Sequence, residues 1–214
     1  MSGPLPSGLR RNMVTTCAMT ATIMQALDTT IANVALPYMQ GTLSASQDQI
    51  NWVLTSYIVA AAIATPATGW LASIMGRRRL LLIAITGFTI ASVLCAMATT
   101  IGAMVAFRLL QGLFGASLVP LSQSTLLDVY PREKHGAAMA MWGMGVMIGP
   151  ILGPPLGGWL TDSYGWHWVF LINVPIGALA LLGVAASLPS DETVRTRFDW
   201  RGFAFLAIGI GALQ

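Results

Sequence analysis

Residues 77–115 read RRRLLLIAITGFTIASVLCAMATTIGAMVAFRLLQGLFG. Three arginines open the stretch, an apolar run follows from Leu80 to Met97, Ala98–Thr100 interrupt it, and a second apolar run starts at Ile101. A helix crossing about 30 Å of hydrocarbon needs roughly 20 mostly apolar residues, because lipid offers no hydrogen-bond partner to an open backbone. The stretch therefore reads as two membrane spans joined by a short turn on the side away from the arginines.

The rest of the chain agrees. Of 214 residues, 55% are hydrophobic and only 9% charged, and the mean hydropathy is +0.70. A soluble domain carries roughly 25% charged residues, so this chain lacks the polar surface to dissolve. The same numbers exclude a disordered chain, a nucleic-acid-binding arm and a secreted disulfide scaffold. Cys17 and Cys95 both lie inside apolar runs and carry no redox information. The expected class is an all-α polytopic membrane protein whose first partner is the lipid bilayer, with no nucleic acid involved.

Six segments have spanning length: Met13–Leu36, Ile50–Ala72, Leu80–Met97, Ile101–Leu121, Gly136–Leu160 and Trp168–Leu188. A seventh begins near Phe203 and reaches only Gln214, so the chain reads as a fragment whose missing part continues that helix. The expected division is an N-terminus over 1–12, a six-helix bundle over 13–188, a linker over 189–201 and the start of helix 7 over 202–214. Ten of the 11 basic residues fall in alternate gaps: Arg10 and Arg11, Arg77–Arg79, Arg132 and Lys134, then Arg195, Arg197 and Arg201. Basic residues gather on the cytoplasmic side, which puts the N-terminus there. Six of the seven tryptophans (52, 70, 159, 166, 168 and 200) sit at or beside span ends, as an interfacial belt does. A signal peptide is the rival reading of the first segment; its length and the five following spans argue against it.

Two ionisable groups lie well inside spans, Asp28 in the first and Arg108 in the fourth. Each costs about 2.5–3.5 kcal/mol at the bilayer centre, so each should face the bundle interior or a wet cavity. Asp28 precedes Pro37 by nine residues, about 13 Å from the outer end of its helix. Arg108 follows Ile101 by seven residues, about 10 Å from the same side. The pair is level and can meet directly, through water or through a substrate. Ala21, Gln25, Asp28, Ala32 and Ala35 line one stripe; Arg108, Gln111, Gly112, Gly115 and Ser122 line another. Small and polar neighbours suit a cavity wall in which proton and cation compete for Asp28. A buried ion pair that only fixes helix register is the alternative.

In the fifth span Gly145, Gly149, Gly153 and Gly157 recur every four residues, a smooth face for close helix approach. Pro150, Pro154 and Pro155 disturb the same turns and suggest a kinked helix at a moving interface. Between the second and third spans Gly69 and Gly76 bracket a short turn that ends in Arg77, Arg78 and Arg79. His135 and His167 fall on opposite sides and cannot share a metal; Asp128 and Glu133 read as solvated. No hydrolase elbow, zinc-protease motif or phosphate loop is present, so the reading is not an enzyme.

Together these stretches resemble the major facilitator superfamily over essentially the whole chain. The turn after the second span is similar to the family's hallmark at Gly69, Leu71, Ala72, Gly76, Arg77 and Arg78; Ser73 and Ile74 replace its aspartate and arginine, removing an acidic partner of the outward-facing latch. Arg108, Gln111 and Gly112 resemble the motif whose arginine is implicated in proton transfer. Gly145, Gly149, Pro150, Gly153, Pro154 and Gly157 look like the motif of drug antiporters. Leu27–Pro37 and Phe198–Gly202 resemble the fourteen-helix drug:proton antiporters, and within them the inner-membrane subunit of tripartite pumps. The resemblance implies inverted three-helix repeats, alternating access, and efflux of amphipathic drugs against a proton gradient with no cofactor. It implies Asp28 as proton acceptor, Arg108 and Gln111 in the relay, Asn33 and Tyr57 as cavity contacts, the bacterial cytoplasmic membrane as location, and a periplasmic adaptor and outer-membrane channel as partners. A facilitator for another solute, or a truncated non-transporting membrane component, are the rivals.

Overall fold

The computed structural model describes residues 8–188 and 198–213, and its regular elements there are all helices. They are α1 (Gly8–Thr42), α2 (Gln47–Ala64), α3 (Ala67–Met75), α4 (Arg77–Ala96), α5 (Ile101–Gly115), α6 (Leu118–Val129), α7 (His135–Tyr164), α8 (His167–Leu171), α9 (Asn173–Ser187) and α10 (Trp200–Leu213), with one 3-10 turn, Arg132–Lys134, before α7. The expected linker residues 189–197 and the first seven residues lie outside the described ones. α10 starts at Trp200, two residues before the expected start of helix 7, because Asp199 Oδ1 accepts from the Gly202 amide and caps it.

Each of the six expected spans is helical, but three are interrupted. The second bends by 58° between α2 and α3. Pro66 sits in that break and has no N–H to continue the ladder. The fourth divides into α5 and α6 at Ala116–Ser117, with Pro120 in the first turn of α6, and runs on to Val129 rather than Leu121. The sixth divides at Ile172; Pro175 lies in the first turn of α9, where an absent donor costs least.

Among the described residues, four helical stretches are long and apolar enough to span, or five if the bent α2–α3 pair is one span. The first expected span is not among them. α1 has 35 residues, about 52 Å at 1.5 Å each, but Thr22, Gln25, Asp28, Thr29, Thr30 and Asn33 dilute its apolarity. Such a helix avoids lipid by packing at the centre, and α1 touches α2, α6, α7, α8 and α9.

Two apolar clusters fill the interior. One gathers Val14, Met24, Leu81, Phe88, Leu118 and Val184. The other gathers Leu27, Ile31, Ile50, Met104, Val169 and Phe170. Along α1 they meet between Met24 and Leu27, beside Asp28.

The turn into α4 rests on Gly76, buried with φ 82° and ψ 144°. A side chain is strained there by about 1–3 kcal/mol. Gly76→Ala should lower the thermal stability of the protein, whereas Gly69→Ala, exposed with open space around its Cα, should leave it nearly unchanged. Equal unfolding temperatures for the two variants contradict this account.

Candidate functional site

Asp28 and Arg108 meet directly, and both are fully buried. Arg108 Nη1 donates to Asp28 Oδ2 at 2.7 Å and to Gln111 Oε1 at 2.8 Å, while Nε donates to the Val53 carbonyl at 3.0 Å. Gln111 Nε2 donates to Asp28 Oδ1 at 2.9 Å. Helical spacing explains the first part: Arg108 and Gln111 lie one turn apart on α5, so one helix offers the carboxylate both a charge and an amide. Charge-assisted bonds of this kind are among the strongest a buried carboxylate can receive.

Three further side chains, not singled out from the sequence, complete the cluster. Asn173 Nδ2, at the start of α9, donates to Asp28 Oδ1 at 2.7 Å and to Ser92 Oγ at 2.9 Å. Ser92 Oγ in turn donates to the Phe170 carbonyl at 2.8 Å. The Cys95 thiol approaches Gln111 Oε1 at 3.6 Å. The available signal was an asparagine in the otherwise apolar sixth span; Ser92 and Cys95 are small enough to pass as packing.

The guanidinium is sandwiched between rings, 4.6 Å from the Tyr57 centroid and 5.5 Å from that of Phe170. Such stacking favours a desolvated cation. Close approach of α5 to α2 makes this possible: a Cβ on Gly115 would lie 2.8 Å from the Tyr57 hydroxyl, and one on Gly112 would strike the Tyr57 carbonyl.

The two stripes therefore meet through Asp28, Arg108 and Gln111, while Gly112 and Gly115 pack against Tyr57 and Phe88, and no open cavity separates the charged pair. Ala21, Ala32, Ala35, Gln111 and Ser122 are all buried. Tyr57 joins the cluster, whereas Asn33 is exposed and apart from it. Asn33 falls at helical spacing on the face of α1 that carries Thr22, Ala26 and Thr29. A crevice of about 280 Å³ opens on that face, lined by Thr22, Gln25, Thr29, Trp142, Val146 and Pro150 among others. Gln25 Oε1 and Trp142 Nε1 are buried there without hydrogen-bond partners.

Gly145, Gly149, Gly153 and Gly157 are buried and face α1, against Met19, Ala26, Thr30 and Ile31. Their seam lies between two helices of this bundle. Pro150, Pro154 and Pro155 occupy the exposed side of α7. Thr30 Oγ1 donates to the Gly149 carbonyl at 3.1 Å, bonding the two helices where they are closest.

At the arginine-bearing end, Arg77 pairs with Asp128, so that acid is not merely solvated as expected. Arg78 Nη2 donates to the Ala185 carbonyl at 2.7 Å, near the end of α9. Ser73, where the hallmark has aspartate, donates to the Trp70 carbonyl at 2.7 Å. Trp70 of α3 meets Phe198, just before α10, with centroids 4.4 Å apart and planes tilted by 49°, and α10 itself packs on α2. Among the described residues no group of three or more His, Cys, Asp or Glu is placed to hold a metal.

The chain is 47% identical over 196 residues to the multidrug export protein EmrB of Escherichia coli (strain K12), covering 91% of this chain and 38% of that protein. It is 46% identical to the fatty acid resistance protein FarB of Neisseria gonorrhoeae, over 91% of this chain and 39% of that one. The chain thus spans about two-fifths of the length of these relatives. Its fold is similar to that of the proton:xylose symporter XylE bound to 6-bromo-6-deoxy-D-glucose, with TM-score 0.76 and 18% identity over 96% of this chain and 50% of that one. A family model described as the Major Facilitator Superfamily matches residues 18–211. With long apolar helices, a polar cluster sealed at their centre and this match along nearly its whole length, the chain is a multi-pass membrane protein that belongs to the Major Facilitator Superfamily.

Proposed function

We propose that this chain forms the N-terminal six-helix half of a proton-coupled exporter of amphipathic drugs or other toxic small molecules. The proposed transporter works by alternating access in the bacterial cytoplasmic membrane, with its N-terminus cytoplasmic. A proton gradient drives it without a cofactor, and a periplasmic adaptor and outer-membrane channel are its proposed partners. Similarity to named multidrug export proteins supports the substrate class.

The observation that carries the coupling is the sealed carboxylate. Asp28 accepts three hydrogen bonds and faces the only cation of the cluster among the described residues, Arg108. A proton on Asp28 removes the charge that holds Arg108. What remains for the guanidinium is Gln111 Oε1, the Val53 carbonyl and two aromatic faces. A buried cation stripped of its acid is strongly destabilising. Protonation therefore opposes the closed cluster and favours a conformation in which Arg108 is solvated. A site with this property exchanges protons as the protein changes shape, which is what coupling requires.

Drug is proposed to meet the crevice on the neighbouring face of α1, where Gln25 and Trp142 bring an unpaired acceptor and donor beside Thr22, Thr29, Val146 and Pro150. Asn33 extends that face. Gly149, Pro150 and Gly153 shape the seam along which α1 and α7 adjust, and Gly76, Arg77 and Arg78 brace the turn at the proposed cytoplasmic end.

Asp28→Asn in the complete transporter, reconstituted in vesicles, should bind drug within about threefold of wild-type affinity, because the crevice is untouched, yet show no drug-driven proton flux. Full flux in that variant refutes the assignment. Asp28→Glu, which keeps an acid, should retain a measurable part of it.

A further inference from the structure

The cluster treats one protonation state well and must also accommodate the other. An ionised carboxylate only accepts hydrogen bonds, so every group facing Asp28 has to be a donor. Arg108 Nη1, Gln111 Nε2 and Asn173 Nδ2 all are. Once protonated, the same side chain carries an O–H that needs an acceptor until the cluster opens to water.

Most acceptors nearby are engaged. Gln111 Oε1 already receives Arg108 Nη1 and the Cys95 thiol. The Val53 carbonyl receives Arg108 Nε. Ser92 Oγ receives Asn173 Nδ2 and directs its own proton to the Phe170 carbonyl. Asn173 differs: its Oδ1 is fully buried and receives no hydrogen bond. That orphan acceptor sits on the one amide that already touches Asp28 from α9. A half-turn of the terminal amide exchanges Nδ2 for Oδ1.

Resting on the proposed role of Asp28, we infer that Asn173 is a positioning residue that follows the proton: its amide donates to the Asp28 carboxylate and, after a half-turn, accepts from the Asp28 carboxylic acid. Asn173 undergoes no chemistry itself. The titratable and charged side chains that meet the cluster are Asp28 on α1, Tyr57 on α2, Cys95 on α4 and Arg108 on α5. Those of α6 and α7 go elsewhere, with Asp128 on Arg77 and Asp162 on Tyr38. α8 and α9 bring to the cluster only the Phe170 ring and carbonyl and Asn173.

The test uses Asn173→Leu in the complete transporter, a side chain of similar volume with neither donor nor acceptor. The lost bond to the charged form is the stronger of the two. The pH midpoint of drug-driven proton flux is therefore expected to move upward by about one unit, a tenfold change. Should the leucine variant fail to accumulate, Asn173→Ala at this first helical residue serves the same purpose. Thr89→Ala, which relaxes the packing of α4 against Gly177 of α9 without touching Asp28, should leave the midpoint in place. Infrared difference spectra across the titration should show an amide carbonyl band that shifts together with the carboxylic-acid band and disappears in Asn173→Leu. A wild-type midpoint and an unchanged amide band in that variant overturn the role of Asn173. If Asp28→Asn abolishes flux at the same time, the exporter reading stands and only this inference fails; full flux in Asp28→Asn sinks both.

Discussion

Replacing Asp28 by leucine alone is expected to destabilise the complete protein in detergent by about 3–5 kcal/mol, the cost of leaving a buried cation without its partner. Arg108 is fully buried and its Nη2 already has no hydrogen-bond partner, so little can substitute for the lost carboxylate. Arg108→Met should be comparably harmful, because it leaves Asp28 charged in an apolar interior with only two amides. Combining Asp28→Leu with Arg108→Met removes both charges and should recover most of the loss, since a well-packed apolar pair often matches a buried ion pair. The measurement is a double-mutant cycle of unfolding free energies. Losses that simply add would show that the two side chains do not depend on each other. The same double variant separates the two readings of the pair. If the ion pair only holds helix register, a folded double variant still transports; if it carries the coupling, the folded variant binds drug and moves no protons.

The second large effect is expected at Gly149. A Cβ there would lie 2.6 Å from Ala26 Cβ and 2.7–2.8 Å from the Ala26 backbone carbonyl group, on the helix that α7 packs against. Backbone cannot move aside as a flexible side chain does. Gly149→Ala must therefore part α1 from α7 and stretch the Thr30–Gly149 bond, now 3.1 Å. Overpacking of this kind costs about 1–3 kcal/mol. Gly143→Ala lies on the same helix with open space around its Cα and should be neutral or stabilising by up to about 1 kcal/mol, from helix propensity alone. The melting temperatures of the two variants, measured side by side, check this. Indistinguishable values would mean that the glycine face is not a close-packed seam.

Much of the fold was legible before any coordinates. The run from Arg77 to Gly115 announces two spans and their turn, and the level of Asp28 with Arg108 follows from counting 1.5 Å steps from the helix ends. The glycine period of the fifth span also proclaims a close helix partner, and α1 is that partner. Less legible were the breaks. Pro66, Pro120 and Pro175 each sit at or beside an interruption, yet Pro150, Pro154 and Pro155 lie within the uninterrupted α7. A proline reports a missing donor; whether the helix stops depends on the neighbours around it.

The cavity expected between the two charged stripes shows the same limit. Helical spacing correctly puts Asp28, Arg108 and Gln111 on inward faces, because any charge that points to lipid is expensive on its own helix. Spacing says nothing about what comes to meet those faces. Asn173, 145 residues from Asp28, and Ser92 arrive from other helices and seal the carboxylate. Asp128 reads as solvated for the same reason, since its partner Arg77 opens α4 and the whole of α4 and α5 lies between them in the chain.

By itself, then, the amino-acid order determined that the apolar segments are helical, the placement of the basic residues in alternate gaps and the two groups that cannot face lipid. The bilayer imposes those constraints on each segment separately: a backbone without water must be helical, and a charge must turn inward. Tertiary structure alone decided which residues satisfy the buried charge, which face of α1 stays open, and that the glycine seam lies within this bundle. Those outcomes depend on the packing of helices distant in sequence, and no periodicity within one helix records its neighbours.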